Sequence, residues 1–264
     1  MKKGLNRFFA DLKKYLPFAE HLAKAELKTE VEGSYLSWLW WVLEPICYML
    51  VYAFVFGVIF NSKEKNFPLF IFIGITMFQF FRQTVTQSVK MIHANKSLLQ
   101  KVYIPKFIFI VKTMLVNGFK MLVSFGIIVI MMVFYRVKLT WKVFYVIPLL
   151  LFLFVFTYAV STFMLHLGVY IKDLANAINI LLRLLNYFTG VFFDIMKRVP
   201  SPYNQWVLRC NPVAAVIVSM RNVLLYDQPI HWKILALWSV LAVVLAILGT
   251  RLIYKNENNY AKVI

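Results

Sequence analysis

Residues 143–169 read VFYVIPLLLFLFVFTYAVSTFMLHLGV, an apolar stretch without an Asp, Glu, Lys or Arg side chain. A helix of about 20 such residues crosses the hydrocarbon core of a bilayer, which is about 30 Å thick. Lipid cannot hydrogen-bond to free backbone groups, so this stretch predicts a transmembrane helix. The composition agrees, because 61% of the 264 residues are hydrophobic and only 15% are charged. Soluble domains are about half apolar and about a quarter charged, so a soluble class is excluded.

The rest of the chain predicts an all-α membrane protein with six transmembrane helices. We expect residues 1–36 to form an amino-terminal cytoplasmic region and residues 37–264 a six-span membrane domain. Residues 213–220 are apolar but too few to cross a bilayer, which predicts re-entrant extracellular helices before the last span. If that segment did cross, the carboxyl terminus would lie outside. The predicted spans are 37–60, 67–90, 107–134, 143–169, 175–195 and 233–254.

The charge of the chain predicts its orientation. The 29 Lys and Arg residues against 11 Asp and Glu residues give a formal net charge of +18. In a soluble protein such a charge suggests nucleic acid, but in a membrane protein it fits anionic headgroups and Lys-rich and Arg-rich cytoplasmic loops. An even number of spans puts both termini on one side, and that side carries more of the Lys and Arg residues. We therefore expect cytoplasmic termini and no nucleic-acid partner.

The first residues have the pattern of a basic amphipathic helix. Lys and Arg residues occupy one face and apolar residues the other, which is typical of helices that lie in the headgroup plane. Pro17 is expected to end or kink this helix, and residues 18–32 to form a second one. The segment can anchor the chain to the membrane or dock a cytoplasmic partner, and the two roles are compatible. The apolar face comprises Leu5, Phe8, Phe9, Leu12 and Leu16.

Ionisable residues within the predicted spans point to a polar path or to ion pairs. A charge at mid-bilayer costs at least about 2.5–3.5 kcal/mol, so each should face a cavity or a partner. Lys112 is near enough to its helix start to reach the membrane surface, whereas Lys120 and Arg183 are central. A proton or ion relay is disfavoured, because Glu44 is the one acidic residue in the middle of a predicted span and no His lies in mid-span.

The first span carries a face of aromatic and polar side chains. Tyr48 and Tyr52 lie one helical turn apart, Glu44 lies one turn earlier, and Trp41 adjoins them. A carboxylate and two hydroxyls would be costly against lipid, so this face is expected to stack on sugar rings along a path. Ordinary helix packing is the alternative. The candidate channel residues are Trp41, Glu44, Tyr48, Tyr52, Phe78, Phe81, Lys120 and Arg183.

Signatures of catalysis are absent from the sequence. It contains no G-x-x-x-x-G-K-[ST] phosphate loop, no H-E-x-x-H motif and no G-x-S-x-G motif. An enzyme acting on polyprenyl phosphates would need acidic or His side chains converging at one membrane face, yet Asp173 and Asp194 are predicted on opposite faces. We expect no catalytic residue, no metal and no bound cofactor. Energy for any work would then come from another subunit.

Four motifs, in order along the chain, resemble those of a transporter family. Together with the amphipathic helix, the six spans and the re-entrant segment, they resemble the permease subunits of type-2 ABC exporters of lipid-linked polysaccharides, namely O-antigen, capsule and wall teichoic acid. The resemblance covers the chain from about Ala23 to its end. The motifs are Gly33-Ser34-Tyr35-Leu36-Ser37-Trp38-Leu39-Trp40 with Glu44-Pro45, Leu98-Leu99-Gln100-Lys101-Val102-Tyr103-Ile104-Pro105-Lys106, Tyr170-Ile171-Lys172-Asp173-Leu174, and Asn211-Pro212-Val213 followed by Arg221-Asn222-Val223-Leu224-Leu225.

The chain departs from the family pattern at several positions. Family members carry a basic-Tyr-basic cluster before the first span, where this sequence has Thr29-Glu30-Val31-Glu32. Ile104 replaces a Phe, Lys172 replaces an Arg, and Glu44 replaces an amide.

The resemblance implies a homodimer in a bacterial cytoplasmic membrane, joined by two ATP-binding cassette ATPase subunits that bind ATP and Mg. The polymer would pass between the two permeases. The implied ATPase contacts are Leu98, Leu99, Lys101, Pro105, Lys172 and Asp173, and the implied re-entrant signature is Asn211, Pro212 and Arg221. A type-2 permease for a drug or small lipid, a polyprenyl-phosphate enzyme and a structural membrane scaffold are the alternatives. Co-purification with an ATPase would separate both permeases from the other two.

Overall fold

The computed structural model describes residues 2–32, 37–62 and 64–263. Within these ranges the chain is almost entirely helical and contains no strand. The predicted all-α fold class is confirmed. The α-helices are α1 Lys2–Glu32, α2 Ser37–Tyr52, α3 Phe67–Ala94, α4 Lys96–Lys101, α5 Phe107–Phe134, α6 Val146–Tyr170, α7 Leu174–Phe188, α8 Ile195–Arg198, α9 Tyr203–Cys210, α10 Pro212–Arg221 and α11 Trp232–Val263.

Five helices of the described chain are long and apolar enough to cross a membrane, and a sixth candidate arises if α9 and α10 count as one bent span. Short π-helical and 3₁₀ segments extend some of the α-helices. The five match the first, second, third, fourth and sixth predicted spans, and the second and sixth run further toward the carboxyl end than predicted. They are Trp38–Ile59, Phe67–Ala94, Phe107–Phe134, Trp141–Tyr170 and Trp232–Tyr260.

The fifth predicted span, 175–195, is wrong in its extent. α7 has 15 residues, about 22 Å of helix, which is less than a bilayer core requires. The chain turns at Gly190, whose φ of +69° lies in the left-handed region that favours glycine. The polypeptide still passes along α3, because Ala175 lines a cavity with Ala94 at one end of that helix, whereas Val191 approaches Gly74 near the other end.

α6 is held closely against two neighbouring helices through glycines. A Cβ on Gly168 would overlap the backbone carbonyl of Val89 in α3. A Cβ on Gly249 of α11 would overlap the Thr162 side chain in α6. Small residues permit this close approach, which is how helices gain packing energy inside a membrane.

The apolar side of α1 packs partly on the membrane helices. Phe8 and Leu12 contact the main hydrophobic core, and Leu16 is half-buried. Phe9 stays 63% exposed, and the side chain of Leu5 lies outside the described residues.

Pro17 does not end α1, contrary to one expectation, because the helix continues through it to Glu32. Proline removes one backbone donor and crowds the preceding turn. Here Phe8 and Leu12 before it and the fully buried Ala19 after it pack against the core. This packing on both sides keeps the helix continuous.

The beginning of α1 and the last turns of α11 lie at the same end of the helix bundle. The Tyr254 hydroxyl of α11 donates to Asp11 of α1 at 2.6 Å. The Phe8 ring packs on Phe107, the first residue of α5, at 5.0 Å between centroids. This arrangement agrees with an even number of crossings.

The segment between α7 and α11 begins and ends beside the same residue, Glu64. Lys197, before α9, contacts Glu64 at 2.7 Å, and the Tyr226 hydroxyl, after α10, donates to the same carboxylate at 2.9 Å. Between them the chain bends by 107° from Tyr203–Cys210 to Pro212–Tyr226. We call the segment from α8 to Tyr226 the hairpin, and its re-entrant placement in the membrane stays a prediction.

Candidate functional site

Aromatic rings form a column that joins α2 to the turn after α7. The rings of Tyr48 and Tyr52 lie 6.3 Å apart and nearly parallel, as their spacing of one turn predicts. The centroid of the Phe192 ring lies 4.5 Å from that of Tyr52 and 5.0 Å from that of Phe56. Tyr187 of α7 lies 5.5 Å from the same Phe192 ring. We call these five residues the aromatic column.

The aromatic column is open at the surface of the chain. Tyr48 is 47% exposed and Tyr187 is 57% exposed. The span Trp38–Ile59, which contains α2, is also the least buried of the five long helices of the described chain. Exposed rings with hydroxyl groups are suited to stacking and hydrogen bonding at the same place.

Phe78 and Phe81 lie away from this column, in the core of the chain. They are 3% and 4% exposed, respectively. Phe81 stacks on Phe156 of α6 at 5.7 Å. The reason is that α3 is packed by helices on several sides and has little free surface. We therefore leave both phenylalanines out of the candidate path.

Arg183 lies on the outer side of α7. It is exposed, whereas Ala175 and Leu182 form the buried side of the same helix. A strongly amphipathic helix with a guanidinium on its open face is unusual against lipid. The exposed side of α7 therefore fits a second chain or a water-filled path better than acyl chains.

Trp41, Glu44 and Lys120 meet at a small polar cavity of about 60 Å³ between α2, α3 and α5. Asn117 lines the same cavity and donates to Thr84 Oγ1 at 3.0 Å. The structure thus brings together three of the predicted channel residues at one polar site.

Two carboxylates of α1 neutralise the two lysines of α5. Glu26 pairs with Lys112, and Glu30 pairs with Lys120 at 2.7 Å. Glu30 also accepts a hydrogen bond from Trp41 Nε1 at 3.1 Å. Lys112 is thus ion-paired, its expected reach to the membrane surface stays a prediction, and the acidic departure at Glu30 supplies a partner for Lys120 within its predicted span.

The predicted ATPase-docking segment is a short helix followed by an extended turn. Leu98 and Leu99 of α4 are half-buried against their own chain, and Pro105 is buried. Lys101 is exposed, and Tyr103 is 56% exposed. The free surface of this segment is therefore formed by its later residues more than by the leucine pair.

Lys172 and Asp173, between α6 and α7, are both exposed. Phe81 of α3 lies against Phe156 of α6, and Val89 of α3 lies against Gly168 of α6, so the two helices run in the same direction. Their carboxyl ends, and the loops that follow, therefore lie at one end of the bundle. The structure therefore places the two predicted docking elements on the same side.

A buried carboxylate of α11 holds the turn after α4 in place. We call this turn, residues 102–106 of the predicted docking segment, the docking turn. Glu257 is 7% exposed and Lys106 is 6% exposed, and their side chains approach to 3.7 Å. The Tyr103 hydroxyl donates to Glu257 at 3.0 Å, and Arg7 of α1 donates to the Tyr103 oxygen at 3.4 Å. Burial, followed by the bond to Glu257, raises the pKa of Tyr103 and keeps its phenol a donor.

The Asn-Pro and Arg positions of the fourth motif tie the hairpin to the end of α7. Asn211 caps α10 by accepting from the Ala214 amide at 3.1 Å, with Pro212 at the first turn. Its amide group donates to Thr189 Oγ1 at 3.1 Å. Asn211 thus performs two functions, one for its own helix and one between segments.

Arg221, at the other end of α10, is 2% exposed. Its guanidinium donates to the carbonyls of Phe70 at 3.0 Å, Gly190 at 2.7 Å and Val191 at 2.7 Å. It also stacks 3.4 Å from the centroid of the Phe70 ring. Three backbone acceptors from two other segments therefore satisfy one buried cation.

The family profile described as ABC-2 type transporter matches residues 20–225, more than half of the chain. The chain belongs to the ABC-2 type transporter family. Its multi-pass membrane architecture follows from the same match and from the five long apolar helices.

This ABC-2 type chain is similar in sequence to several transport proteins. An O-antigen export system permease protein of Klebsiella pneumoniae is 22% identical over 92% of this chain and 93% of its own length. A protein of the same name from Myxococcus xanthus is 26% identical over 82% of this chain and 84% of its own length. The polysialic acid transport protein KpsM of Escherichia coli is 32% identical over 30% of this chain and 31% of its own length.

The sequence prediction of this ABC-2 type chain missed several residues that its structure brings to these sites. Phe56, Tyr187 and Phe192 complete the aromatic column, and Glu257 supports the docking turn. Phe56 could have been found, because it continues the one-turn spacing of Tyr48 and Tyr52. The others depend on contacts between distant segments. Gly33-Ser34-Tyr35-Leu36 of the first motif lies outside the described residues.

Proposed function

We propose that this chain is the membrane-spanning permease of an ATP-driven exporter that moves a lipid-linked polysaccharide across the bacterial cytoplasmic membrane. The observation that carries the proposal is membership of the ABC-2 family together with relatives named as O-antigen export permeases that match over most of both chains. O-antigen, capsular or teichoic-acid-like polymers are the proposed class of substrate.

We propose that the aromatic column forms part of the polymer path. Sugar rings present apolar faces that stack on aromatic side chains and hydroxyls that bond to phenols. Exposure of Tyr48 and Tyr187 supports this role. Weak stacking contacts repeated along a path allow a long chain to keep moving, whereas one tight site would hold it.

We propose that two copies of the chain enclose the path. α2 and α7 carry the open side of the aromatic column, and Arg183 lies on the exposed side of α7. An apolar surface interrupted by a guanidinium and phenols suits a homodimer with a polar interior. The polar cavity at Glu44 and Lys120 would lie beside this interior.

We propose that ATP and Mg bind to a separate ATPase subunit, which contacts this chain at the docking elements. Lys101, Lys172 and Asp173 offer exposed charges there, and Leu98 and Leu99 add apolar surface beside them. Closure of the ATPases would move these elements and shift the population of open and closed paths. The chain itself would perform no catalysis.

The test of the proposed function is co-purification. A tagged copy of this chain is expressed with the ATP-binding cassette ATPase of the same cells, solubilised in mild detergent and weighed by native mass spectrometry. A complex of two permeases and two ATPases is the expected result. Recovery of the chain without any ATPase, under conditions in which other ABC transporters stay intact, would refute the proposal.

We propose cytoplasmic termini, and cysteine labelling tests this orientation. Cys47 and Cys210 are both exposed and are first replaced by Ser. In that background Tyr203→Cys, at a position that is 67% exposed, should react with an impermeant maleimide added to intact cells. Asn258→Cys, also at an exposed position, should react only after the membrane is opened. Labelling of Asn258→Cys in intact cells would overturn the orientation.

A further inference from the structure

An apolar groove of about 690 Å³ runs between α1, α5, α6 and α11. None of the proposed path residues lines it. Most of its lining side chains are apolar, and it opens to the outside of the helix bundle. Representative lining residues are Phe9, Leu12, Met114, Val155, Val243 and Ile247.

The groove has the length of one leaflet of a bilayer. Along α11 it extends from Val243 to Tyr254, about 16 Å at 1.5 Å per residue. Half of a hydrocarbon core of about 30 Å is about 15 Å. An acyl chain of ordinary length therefore fits along the groove from one membrane surface to the bilayer centre, whereas a long polyprenyl chain would extend beyond it.

Two arginines line the groove at the end of the bundle where α1 begins and α11 ends. Arg251 of α11 is exposed and makes no ion pair within the described part of the chain. Arg7 of α1 forms an ion pair with Asp11 at 3.5 Å, and its guanidinium lies 4.6 Å from the centroid of the Tyr254 ring. Arg251 is therefore the cation with most capacity left for a ligand, and Arg7 adds positive charge beside it.

We propose that this groove binds an anionic phospholipid, with one acyl chain between the four helices and the phosphate at Arg251 and Arg7. Guanidinium groups bind phosphate oxygens through two parallel hydrogen bonds, which makes the pairing selective for a charged headgroup. With the proposed orientation of the chain, the lipid belongs to the cytoplasmic leaflet. Lipid binding itself goes beyond the proposed transport function and does not depend on it.

A lipid in this position would stabilise the docking turn indirectly. Arg7 donates to Tyr103, and Tyr103 donates to Glu257. The headgroup would therefore adjoin the same side chains that hold the turn after α4. Filling the groove would also fix α1 against α5 and α6, whose side chains form its walls.

Native mass spectrometry of the full chain in mild detergent tests the proposal. The chain is mixed with phosphatidylglycerol or with phosphatidylcholine of identical acyl chains. Phosphatidylglycerol is expected to be retained, and Arg251→Gln should lower its retention about tenfold, as loss of a charge-assisted hydrogen bond predicts. Lys233→Gln, at the other end of α11, is the matched control and should change nothing. Equal retention of the two lipids by the unmodified chain, or unchanged retention by Arg251→Gln, would overturn the proposal.

A second measurement locates the acyl chain. Phosphatidylglycerol with a photoreactive group near the acyl terminus should crosslink to residues around Val243 and Val155. Ala246→Phe, which fills the groove, should lower crosslinking and retention of both lipids. Crosslinks confined to other helices would contradict the groove as the site, and this readout stands even if Ala246→Phe does not fold.

Discussion

The ammonium group of Lys120 lies 2.7 Å from the Glu30 carboxylate, which joins the amino-terminal helix to the middle of α5. The contacts between these helices advance in the same direction on both, from Phe8 with Phe107 to Glu26 with Lys112 and then to Glu30 with Lys120. The second half of α1 therefore lies against α5 and runs in the same direction. A helix predicted to anchor the chain also supplies charge compensation for a membrane-spanning helix.

The pair of Glu30 and Lys120 is expected to contribute about 1–2 kcal/mol to stability, between the values for surface and buried ion pairs. Glu30→Gln and Lys120→Gln should each lower the thermal unfolding temperature in detergent. The unfolding temperature of the double variant should fall by less than the sum of the two single decreases. Each single variant leaves one charge without its partner, whereas the double variant leaves none. Glu32→Gln, from the exposed pair of Lys28 and Glu32, is the matched control with little effect. Additive losses at 30 and 120 would show that the two side chains do not interact.

Arg221 is expected to be indispensable for folding of the hairpin before α11. Arg221→Lys keeps the charge but cannot donate in the forked geometry that three carbonyls require, so we expect a loss of about 3–5 kcal/mol, the range for breaking a buried charged network. The measurement is thermal unfolding together with the yield of folded chain in the membrane. Arg209→Lys, at an exposed position, should behave like the unmodified chain. Normal stability of Arg221→Lys would contradict the assignment.

Tyr48 and Tyr52 are expected to act through their rings. Replacing both with Ala should reduce polymer export strongly while ATPase assembly and basal ATP hydrolysis persist. Replacing both with Phe should cause only a mild loss, since stacking surface is retained. Phe134→Ala removes an aromatic ring that is 82% exposed elsewhere and should export normally. If the double Ala variant exports normally or does not fold, this face serves helix packing instead.

Glu257 and Leu99 are expected to affect coupling in different ways. Glu257→Gln weakens the hold on Tyr103 and Lys106, so export per ATP hydrolysed should fall while the ATPase stays bound. Leu99→Asp changes the proposed docking surface itself and should uncouple ATP hydrolysis from export by weakening ATPase binding, while the chain stays in the membrane. Pull-down combined with ATP hydrolysis and export assays distinguishes the two. Unchanged coupling in Glu257→Gln would show that the position of the docking turn does not depend on α11.

The helical spans could be predicted because each depends mainly on local hydropathy. The break after α7 could not, since Val191, Phe192 and Phe193 continue the apolar run beyond it. There the carbonyls of Gly190 and Val191 bond to Arg221, a residue far along the chain. A tertiary hydrogen-bond donor replaces the helical ones, and no local pattern indicates such a replacement.

The candidate site was predictable only in part for the same reason. The spacing of Tyr48 and Tyr52 indicates a shared helical face, and the structure stacks them. Hydrophobicity alone could not separate exposed rings from Phe78 and Phe81, which are equally aromatic but enclosed by the bundle. Likewise, the need of Lys120 for a partner was predictable from the cost of a buried charge, but the identity of Glu30 was not.

The most direct test of the proposed function is ATP-driven movement of lipid-linked polysaccharide in inverted membrane vesicles that contain this chain and its ATPase. The polymer is supplied on the outer surface, which corresponds to the cytoplasm, and a glycosidase is added after incubation. ATP should make the polymer resistant to the glycosidase, whereas vesicles without this chain, or with a non-hydrolysable ATP analogue, should leave it digestible. Polymer that stays digestible with the whole complex and ATP, or that becomes protected without this chain, would contradict the account.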